Sequence, residues 1–205
     1  MSALVQRVRR TIERHGLCPP GSRVLVGVSG GADSVGLTLV LRELARYGGF
    51  SLVGLAHVNH QLRETSARDE TFCRDFGDRL GIGVLVEGID VLRYARAQGL
   101  SIEDAARRNR YEFLSRSADA MGADTIAVGH TQDDQAETFL LKVARGAGLT
   151  GLAGIYPRRG QVVRPLIESS RTELQSWLRA VGETWVEDES NADLGIARKI
   201  GRAHV

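Results

Sequence analysis

The feature that most constrains this chain is an apolar, β-branched run that breaks into two glycines, an acid and a hydroxyl. It extends from Val24 to Ser34 and reads Val-Leu-Val-Gly-Val-Ser-Gly-Gly-Ala-Asp-Ser. A helical pattern follows at once, so the run predicts a buried strand, a glycine-rich corner and the start of a helix. Such a corner gathers backbone N–H groups and the positive end of a helix dipole around one point. The sequence therefore predicts a site for an anion of pyrophosphate size.

The side chains of this loop indicate which anion is bound. Gly30 and Gly31 lack a Cβ atom and can take positive φ, and Ser29 and Ser34 add hydroxyl donors. Asp33 would repel phosphates unless a divalent cation lay between them, and Mg²⁺ commonly uses one or two carboxylates together with phosphate oxygens. We therefore expect ATP·Mg as the ligand. The residues assigned to it are Ser29, Gly30, Gly31, Ala32, Asp33 and Ser34.

The spacing excludes other motifs. No lysine follows Gly30 or Gly31, so the G-x-x-x-x-G-K-[ST] loop is absent, and the glycines do not fit G-x-G-x-x-G. The two cysteines, Cys18 and Cys73, form no C-x-x-C pair. Disulfides, a zinc site and the thiol relay of a sulfur transferase such as a tRNA thiolase are therefore not expected.

Composition is that of an ordinary globular protein. Hydrophobic residues make up 42% and charged residues 25% of the 205 residues, which suits one domain with a full-sized core. No apolar run approaches the roughly 18 residues that cross a membrane, and the N-terminus lacks the apolar core of a secretory signal. We expect a single domain over residues 1–205, with its core at about 20–193, in the cytoplasm and without a membrane partner.

The positive charge is carried almost entirely by arginine. The net charge is only +2, and lysine occurs only at positions 142 and 199. Arginine suits phosphate and stacked-base contacts better than lysine does. Four arginines fall in the first predicted helix: Arg7, Arg9, Arg10 and Arg14. They are typical first of the solvated face of an amphipathic helix, with an RNA-binding patch as the alternative.

Apolar β-branched segments alternate with helical patterns, which predicts parallel strands joined by crossover helices. Strands are expected at 23–28, 51–57, 83–86 and 125–128. Helices are expected at 4–15, 35–47, 67–80, from a Ser101 cap to 121, at about 133–145, and from a Ser170 cap to 181. The segment 156–164 is expected to be a loop at the edge of the pocket. The predicted fold class is α/β, a doubly wound, mostly parallel sheet with helices on both faces.

Three chemistry-bearing loops follow predicted strands directly, at 29–34, 56–60 and 129–134. In an open parallel sheet, ligands bind at the carboxyl ends of strands near a topological switch point, so we expect the three loops to form one site. Backbone groups around Ala56, together with His57, are assigned to the adenine. For His57, Asn59 and His60, capping of the loop is the alternative role.

The acids and the histidine of the third loop indicate chemistry at the phosphates. Asp33 is the first candidate ligand for Mg²⁺, and Asp133 or Asp134 is the second, because a helix N-terminus at a strand end could aim one of them at the same ion. For Asp134 a structural charge that complements the helix dipole is an equal alternative. His130 is a candidate donor to a phosphate or to the leaving group.

Several separated motifs resemble one enzyme family. The loop at 29–34 resembles the S-G-G-x-D-S loop of the N-type ATP pyrophosphatases, which split ATP between the α and β phosphates. Further motifs resemble those of the tRNA(Ile)-lysidine synthetases, in family order: 56–63, 106–111, 129–138, Arg145-Gly146 and Gly151-Leu152. The similarity extends from about 24 to about 193 and implies an adenine nucleotide alpha hydrolase-like fold. It also implies that Arg110 and Glu137 belong to the pocket for ATP and free lysine.

The resemblance implies a reaction in two steps on tRNA(Ile) with a CAU anticodon. The C2 oxygen of the wobble cytidine attacks the α-phosphate of ATP and releases pyrophosphate, and free L-lysine then attacks C2 and expels AMP. Homodimer formation is left open. The candidate catalytic residues, from the residues and the resemblance together, are Asp33, His130, Asp134, Arg110 and Glu137.

The chain departs from the family pattern near its C-terminus. Family members generally continue into a helical C-terminal region that grips the tRNA, and we expect most of that grip to be absent here. The segment 190–193 matches the family, whereas 198–202 keeps only the first and last arginines of Arg-Asn-x-Ile-Arg. Two alternatives stay open: another adenylating ATP pyrophosphatase with a small acceptor, and a fragment that binds ATP or RNA without turnover.

Overall fold

The computed structural model describes residues 1–61, 66–146 and 154–187. Its helices are α1 Ala3–His15, α2 Ala32–Gly48, α3 Ser66–Leu80, α4 Val91–Gln98, α5 Ile102–Met121, α6 Gln132–Ala144 and α7 Arg171–Ala180. Its strands are β1 Arg23–Gly27, β2 Ser51–Asn59, β3 Val84–Gly88, β4 Thr125–Ala127, β5 Arg158–Arg159 and β6 Val162–Val163. Within these ranges, the predicted alternation of strands and helices is confirmed.

The strands of the described ranges form one sheet in the order β3-β2-β1-β4-β6-β5. Neighbouring strands are parallel except β5 and β6, which are antiparallel. The chain builds β1, β2 and β3 outward in one direction and then returns to place β4 on the other side of β1. The boundary between β1 and β4 is therefore the topological switch point. The predicted α/β class with a mostly parallel sheet is confirmed.

Apolar side chains cover both faces of the sheet. Along β1, Val24 and Val26 belong to one buried cluster and Leu25 to another, because successive side chains of a strand point to opposite faces. Helices α1, α2, α3 and α7 contribute to the first cluster, with Leu41 fully buried, and α5 contributes Phe113 to the second. The prediction of helices on both faces is confirmed.

One predicted segment is wrong, and one helix has no counterpart among the predictions. The expected loop at 156–164 contains β5 and β6, a hairpin that extends the sheet beyond β4. Strands of two residues show no alternation that a sequence pattern could reveal. Helix α4 is 8 residues long and buries only Val91 and Ala95, so its periodicity is equally short.

Some residues of the predicted motifs lie outside the described ranges: Leu62, Arg63, Gly151, Leu152, the segment 190–193 and the segment 198–202. The expectations attached to them stay predictions. Among the described helices, none has the length and apolar character that crossing a membrane requires.

Candidate nucleotide-binding site

A cavity of about 450 Å³ opens at the carboxyl ends of β1, β2 and β4. Residues of all three chemistry-bearing loops line it. The lining residues that the sequence singles out are Ser29, Gly31, Asp33, Ser34, Ala56, His57, His60, Arg110, Gly129, His130 and Asp134. Its volume falls within the usual range for small-molecule sites, roughly 300–1,000 Å³.

The Ser34 hydroxyl holds the first loop in shape. It accepts a hydrogen bond from the Ser29 backbone N–H at 3.0 Å, donates to the Gly31 carbonyl at 3.0 Å and lies 3.1 Å from the Ser29 hydroxyl. Gly30 has a φ of +85°, and a Cβ atom there would lie 3.3 Å from side-chain atoms of α3 and of Val186. Both the turn and the packing around it therefore require glycine at this position.

The N-terminus of α2 is open, unlike those of most described helices. Side chains accept hydrogen bonds from the first turns of α1, α4, α5 and α7, and Asp134 accepts one at the start of α6. Helix α2 begins after Gly31, where no side chain caps it. Ala32 and Asp33 are the first residues of that helix. Their N–H groups and the helix dipole can therefore stabilise an anion in the cavity.

Gly129 lets the third loop approach the start of α2. A Cβ atom at Gly129 would lie 3.0 Å from the carbonyl carbon of Asp33 and 3.2 Å from the backbone nitrogen of Ser34. A residue with a side chain would push the two segments apart. The approach places His130 and Asp134 on the same cavity as Asp33.

Arg171, the first residue of α7, joins three carboxylates, of which Asp33 and Asp134 line the cavity. Its Nε atom donates to Asp33 Oδ2 at 3.1 Å, and its Nη2 atom donates to Asp134 Oδ1 at 3.3 Å. Its Nη1 atom lies 3.7 Å from Glu137 Oε1. Burial alone would lower the pKa of Arg171, but the three carboxylates together raise it. Arg171 thus connects Asp33 of α2 with Asp134 and Glu137 of α6.

One oxygen of Asp33 has no partner. Oδ2 accepts from Arg171, whereas Oδ1 is buried and accepts no hydrogen bond. Burial raises the pKa of the Asp33 carboxyl, Arg171 opposes this, and Asp134 and Asp133 raise it further. A free buried carboxylate oxygen fits a divalent cation. Within the described ranges no group of three or more His, Cys, Asp or Glu side chains is arranged to hold a metal ion.

The two acids at the start of α6 have different partners. Asp133 Oδ2 accepts a hydrogen bond from the Arg171 backbone N–H at 2.8 Å, so Asp133 caps α7 and does not line the cavity. Asp134 Oδ2 accepts from the backbone N–H and the hydroxyl of Thr131 at 2.7 and 2.9 Å. Asp134 thus has the structural role of a helix N-terminal charge and also lines the cavity. Of the two, Asp134 is the better placed second ligand for Mg²⁺.

The second loop presents a buried histidine. Strand β2 continues to Asn59, beyond its predicted end, so Ala56 lies inside the strand and its carbonyl already accepts from the Val28 N–H at 2.8 Å. His57 Nδ1 lies 3.0 Å from the Val28 carbonyl and must donate to it, whereas His57 Nε2 has no partner. Burial lowers the pKa of His57, so Nε2 is a free acceptor. Asn59 accepts from the Gln61 N–H at 3.0 Å, the loop-capping role.

Two further histidines on the cavity are kept neutral. Burial and the charge of Arg110 lower the pKa of His60 to about 4, and Arg110 Nη2 lies 3.4 Å from His60 Nε2. Burial and the charge of Arg164 lower the pKa of His130 to about 4, and His130 Nδ1 is buried without a partner. At neutral pH, His130 is therefore a neutral hydrogen-bonding group and not a cation.

The residues added by the family resemblance occupy different places. Arg110 lines the cavity from α5. The Glu137 side chain is 64% exposed and meets the site through its ion pair with Arg171. Arg110 therefore lines the cavity, whereas Glu137 does not and is an exposed partner of Arg171.

Two contributors to the site have no counterpart in the sequence predictions. Arg171 is one of them, since its sequence context indicates only a helix start. The other is Val186, whose backbone N–H donates to the Gly30 carbonyl at 2.9 Å and which lines the cavity beside Glu187. Both act across large separations in sequence, so no local pattern identifies them.

Comparison with known proteins agrees with this geometry. A family model described as a PP-loop domain matches residues 2–205. A tRNA(Ile)-lysidine synthase of Bacteroides thetaiotaomicron is 42% identical over 92% of this chain and 43% of its own length. The tRNA(Ile)-lysidine synthase of Thermus thermophilus is 42% identical over 91% of this chain and 35% of its own length. The chain thus spans less than half the length of these curated relatives.

Solved structures share the fold at low sequence identity. The U34-tRNA thiolase NcsA from Methanococcus maripaludis, solved with its 4Fe-4S cluster, has a TM-score of 0.74 and 19% identity over 90% of this chain and 64% of that chain. The NMN synthetase from Francisella tularensis has a TM-score of 0.56 and 14% identity over 90% of this chain and 73% of that chain. The architecture, the glycine loop at the switch point and the match over residues 2–205 agree: the chain belongs to the PP-loop domain family.

Proposed function

We propose that this chain binds ATP·Mg in the cavity and adenylates a tRNA nucleotide, as the catalytic part of a tRNA(Ile)-lysidine synthetase. The observation that carries the proposal is the open N-terminus of α2 beside Asp33, whose buried Oδ1 has no partner. Free N–H groups at a helix N-terminus favour phosphate, and a free carboxylate oxygen favours the cation that phosphate brings. The tRNA acceptor is taken from the names of the relatives at 42% identity.

In this proposal, different residues of the cavity contact different parts of ATP. The N–H groups at the start of α2 and the hydroxyls of Ser29 and Ser34 bind the phosphates that leave as pyrophosphate. Mg²⁺, held by Asp33 and Asp134, would neutralise charge on these phosphates. His57 Nε2 accepts a hydrogen bond from the nucleoside, and neutral His130 donates to a phosphate. Catalysis then rests on positioning and electrostatics more than on covalent chemistry.

The proposed reaction joins free L-lysine to the wobble cytidine of tRNA(Ile) with a CAU anticodon. The cytidine C2 oxygen attacks the α-phosphorus, the bond to the β-phosphate breaks, and pyrophosphate leaves. The lysine amine attacks C2 and loses a proton, and AMP leaves with the C2 oxygen. Arg110 and Glu137 contact the substrates, since an exposed carboxylate suits an ammonium group. Both substrates are cytoplasmic, and the proposal includes that location.

The burial of both cysteines disfavours thiolase chemistry, the activity in the name of the structural neighbour NcsA. The chain has two cysteines, Cys18 and Cys73, and both are buried. Burial raises the pKa of each thiol to about 12. Thiols that ionise so poorly are weak nucleophiles and weak cluster ligands.

AMP release from radiolabelled ATP·Mg tests the proposal, with lysine and unmodified tRNA(Ile) added singly and together. We expect AMP only when both are present, with lysidine in the recovered tRNA. The matched control is the same tRNA with uridine in place of the wobble cytidine, which should release no AMP. AMP released with a small acceptor and no tRNA would support another adenylating enzyme. ATP binding without AMP under any condition would support a fragment without turnover.

A further inference from the structure

Arg171 has more hydrogen-bonding capacity than its carboxylate partners use. A guanidinium has five N–H donors, and here the Nε and Nη2 atoms bond to Asp33 and Asp134 while Nη1 lies 3.7 Å from Glu137. The Arg171 side chain is 33% exposed and is not one of the residues that line the cavity, whereas Asp33 and Asp134 both line it. Its charge therefore reaches a ligand in the cavity through these two acids.

The acids around Arg171 would repel a bound triphosphate unless cations offset their charge. Asp33 and Asp134 line the cavity that the proposed function fills with a triphosphate. Carboxylates and phosphates repel each other, and the partly buried position of Asp33 strengthens that repulsion. Mg²⁺ would offset part of it. Arg171 is the described cation that contacts both cavity acids, so it offsets part as well.

Another arginine, which pairs with an acid of α7, provides a contrast. Arg7 of α1 pairs with Glu173 of α7 at 2.8 Å, one cation with one acid. That pair ties two helices together away from the cavity. Arg171 instead meets acids of α2 and of α6, and its backbone N–H is held by Asp133 at 2.8 Å, so the start of α7 is fixed in position.

We propose that Arg171 is a positioning residue for the triphosphate: it supplies the fixed positive charge that lets Asp33 and Asp134 lie beside the phosphates. The inference rests on the proposed ATP site and extends it to a residue at the start of α7. It predicts that Arg171 acts on the phosphate part of the ligand and not on the nucleoside part.

Calorimetric titration tests this with three ligands, ATP·Mg, pyrophosphate·Mg and adenosine, against wild type, Arg171→Gln and Arg171→Lys. We expect Arg171→Gln to weaken ATP and pyrophosphate binding about tenfold or more, and to change adenosine binding less than about twofold. Arg171→Lys keeps the charge and should recover most of the pyrophosphate affinity. Arg7→Gln is the matched control, which removes one arginine–acid pair of α7 and should leave all three affinities unchanged.

Two results would overturn the inference: pyrophosphate affinity retained in Arg171→Gln, or a parallel loss of adenosine and pyrophosphate binding, which would indicate a structural role. Thermal unfolding of each variant is recorded beside the titrations, and Arg171→Met, which also removes the charge but keeps a long side chain, gives the same comparison if Arg171→Gln folds poorly. Failure of the wild type to bind ATP·Mg would instead overturn the proposed function, so the two failures are distinguishable.

Discussion

Glu168 and Asp33 are two partly buried carboxylates with opposite surroundings. Glu168, between β6 and α7, accepts hydrogen bonds from Thr11 at 2.9 Å, from Arg14 at 3.1 and 3.2 Å, and pairs with His15 at 3.0 Å. The hydrogen bond from His15 and the other donors lower the pKa of Glu168. Every oxygen of this carboxylate is therefore in use.

Asp33 differs from Glu168 both in its hydrogen bonds and in the direction of its pKa shift. Its Oδ1 is buried without a donor, and burial raises the pKa of its carboxyl. A folded protein rarely leaves a buried polar atom unpaired unless a ligand, a water or an ion completes it. Glu168 therefore fastens α1 to the segment before α7, whereas the unpaired oxygen of Asp33 supports its proposed role as a ligand for a cation.

The largest expected effect is on turnover at the Asp33 side. Asp33→Asn replaces the carboxylate with a neutral amide that is a poor ligand for a divalent cation, and we expect AMP formation to fall about a hundredfold or more. Stability should hold or rise, because a charge that burial disfavours is lost. AMP release and thermal unfolding measure the two effects. A variant that retains wild-type turnover would contradict the assignment of Asp33.

Glu168→Gln should lower stability and have little effect on ATP binding. It weakens charge-assisted hydrogen bonds to three side chains, and we expect the free energy of unfolding to fall by about 1–2 kcal/mol, a discounted figure because Glu168 is partly exposed. ATP affinity should stay within about twofold of wild type. Urea unfolding and nucleotide titration check this pair of expectations. A loss of ATP affinity without a loss of stability would break the comparison.

The lowered pKa of His130 predicts a smaller effect, a dependence of stability on pH. The pKa of His130 is lowered to about 4 in the folded chain, below its value of about 6.5 in the unfolded chain. The unfolded state therefore binds more protons between these values, so stability falls as the pH falls from about 6.5 to about 4. Between pH 7.5 and pH 5.5 the wild type should lose free energy of unfolding, and His130→Gln should reduce that loss by about 1 kcal/mol. Urea unfolding at the two pH values measures it, and an unchanged difference would contradict a neutral, buried His130.

The smallest effect is expected on the outer face of α1. Arg9 pairs with Glu13 one turn away at 2.8 Å, and both side chains are more than half exposed. Arg9→Gln should change the free energy of unfolding by less than about 0.5 kcal/mol. If this face is merely solvated, tRNA affinity is also unchanged. A clear loss of tRNA affinity would favour the alternative of an RNA-binding patch.

Most of the site could be predicted because its chemistry is local in sequence. The loop at 29–34 carries its glycines, hydroxyls and acid within six positions, and each follows from a requirement of the turn or of the ligand. Strand ends also determine where loops meet, so the juxtaposition of His130 with Asp33 follows from the parallel sheet. The alternation of buried strands and amphipathic helices predicts the sheet in the same way.

What could not be predicted depends on contacts between distant segments. Arg171 gains its three carboxylate partners only when the N-termini of α2, α6 and α7 meet. The division between Asp133 and Asp134 has the same origin, because α7 provides the partner of Asp133. The hairpin of β5 and β6 is too short to show a period, and it forms because β4 offers it an open edge.

In the proposed site, the loop at the start of α2 binds the phosphates of ATP. The most direct test is calorimetric titration of α,β-methylene-ATP with Mg²⁺ into wild type, Gly30→Val and Glu168→Gln. A valine at the Gly30 position has a disfavoured φ and crowds Val186, so binding should weaken at least about tenfold, while Glu168→Gln binds as wild type does. Equal binding by wild type and Gly30→Val would contradict the account.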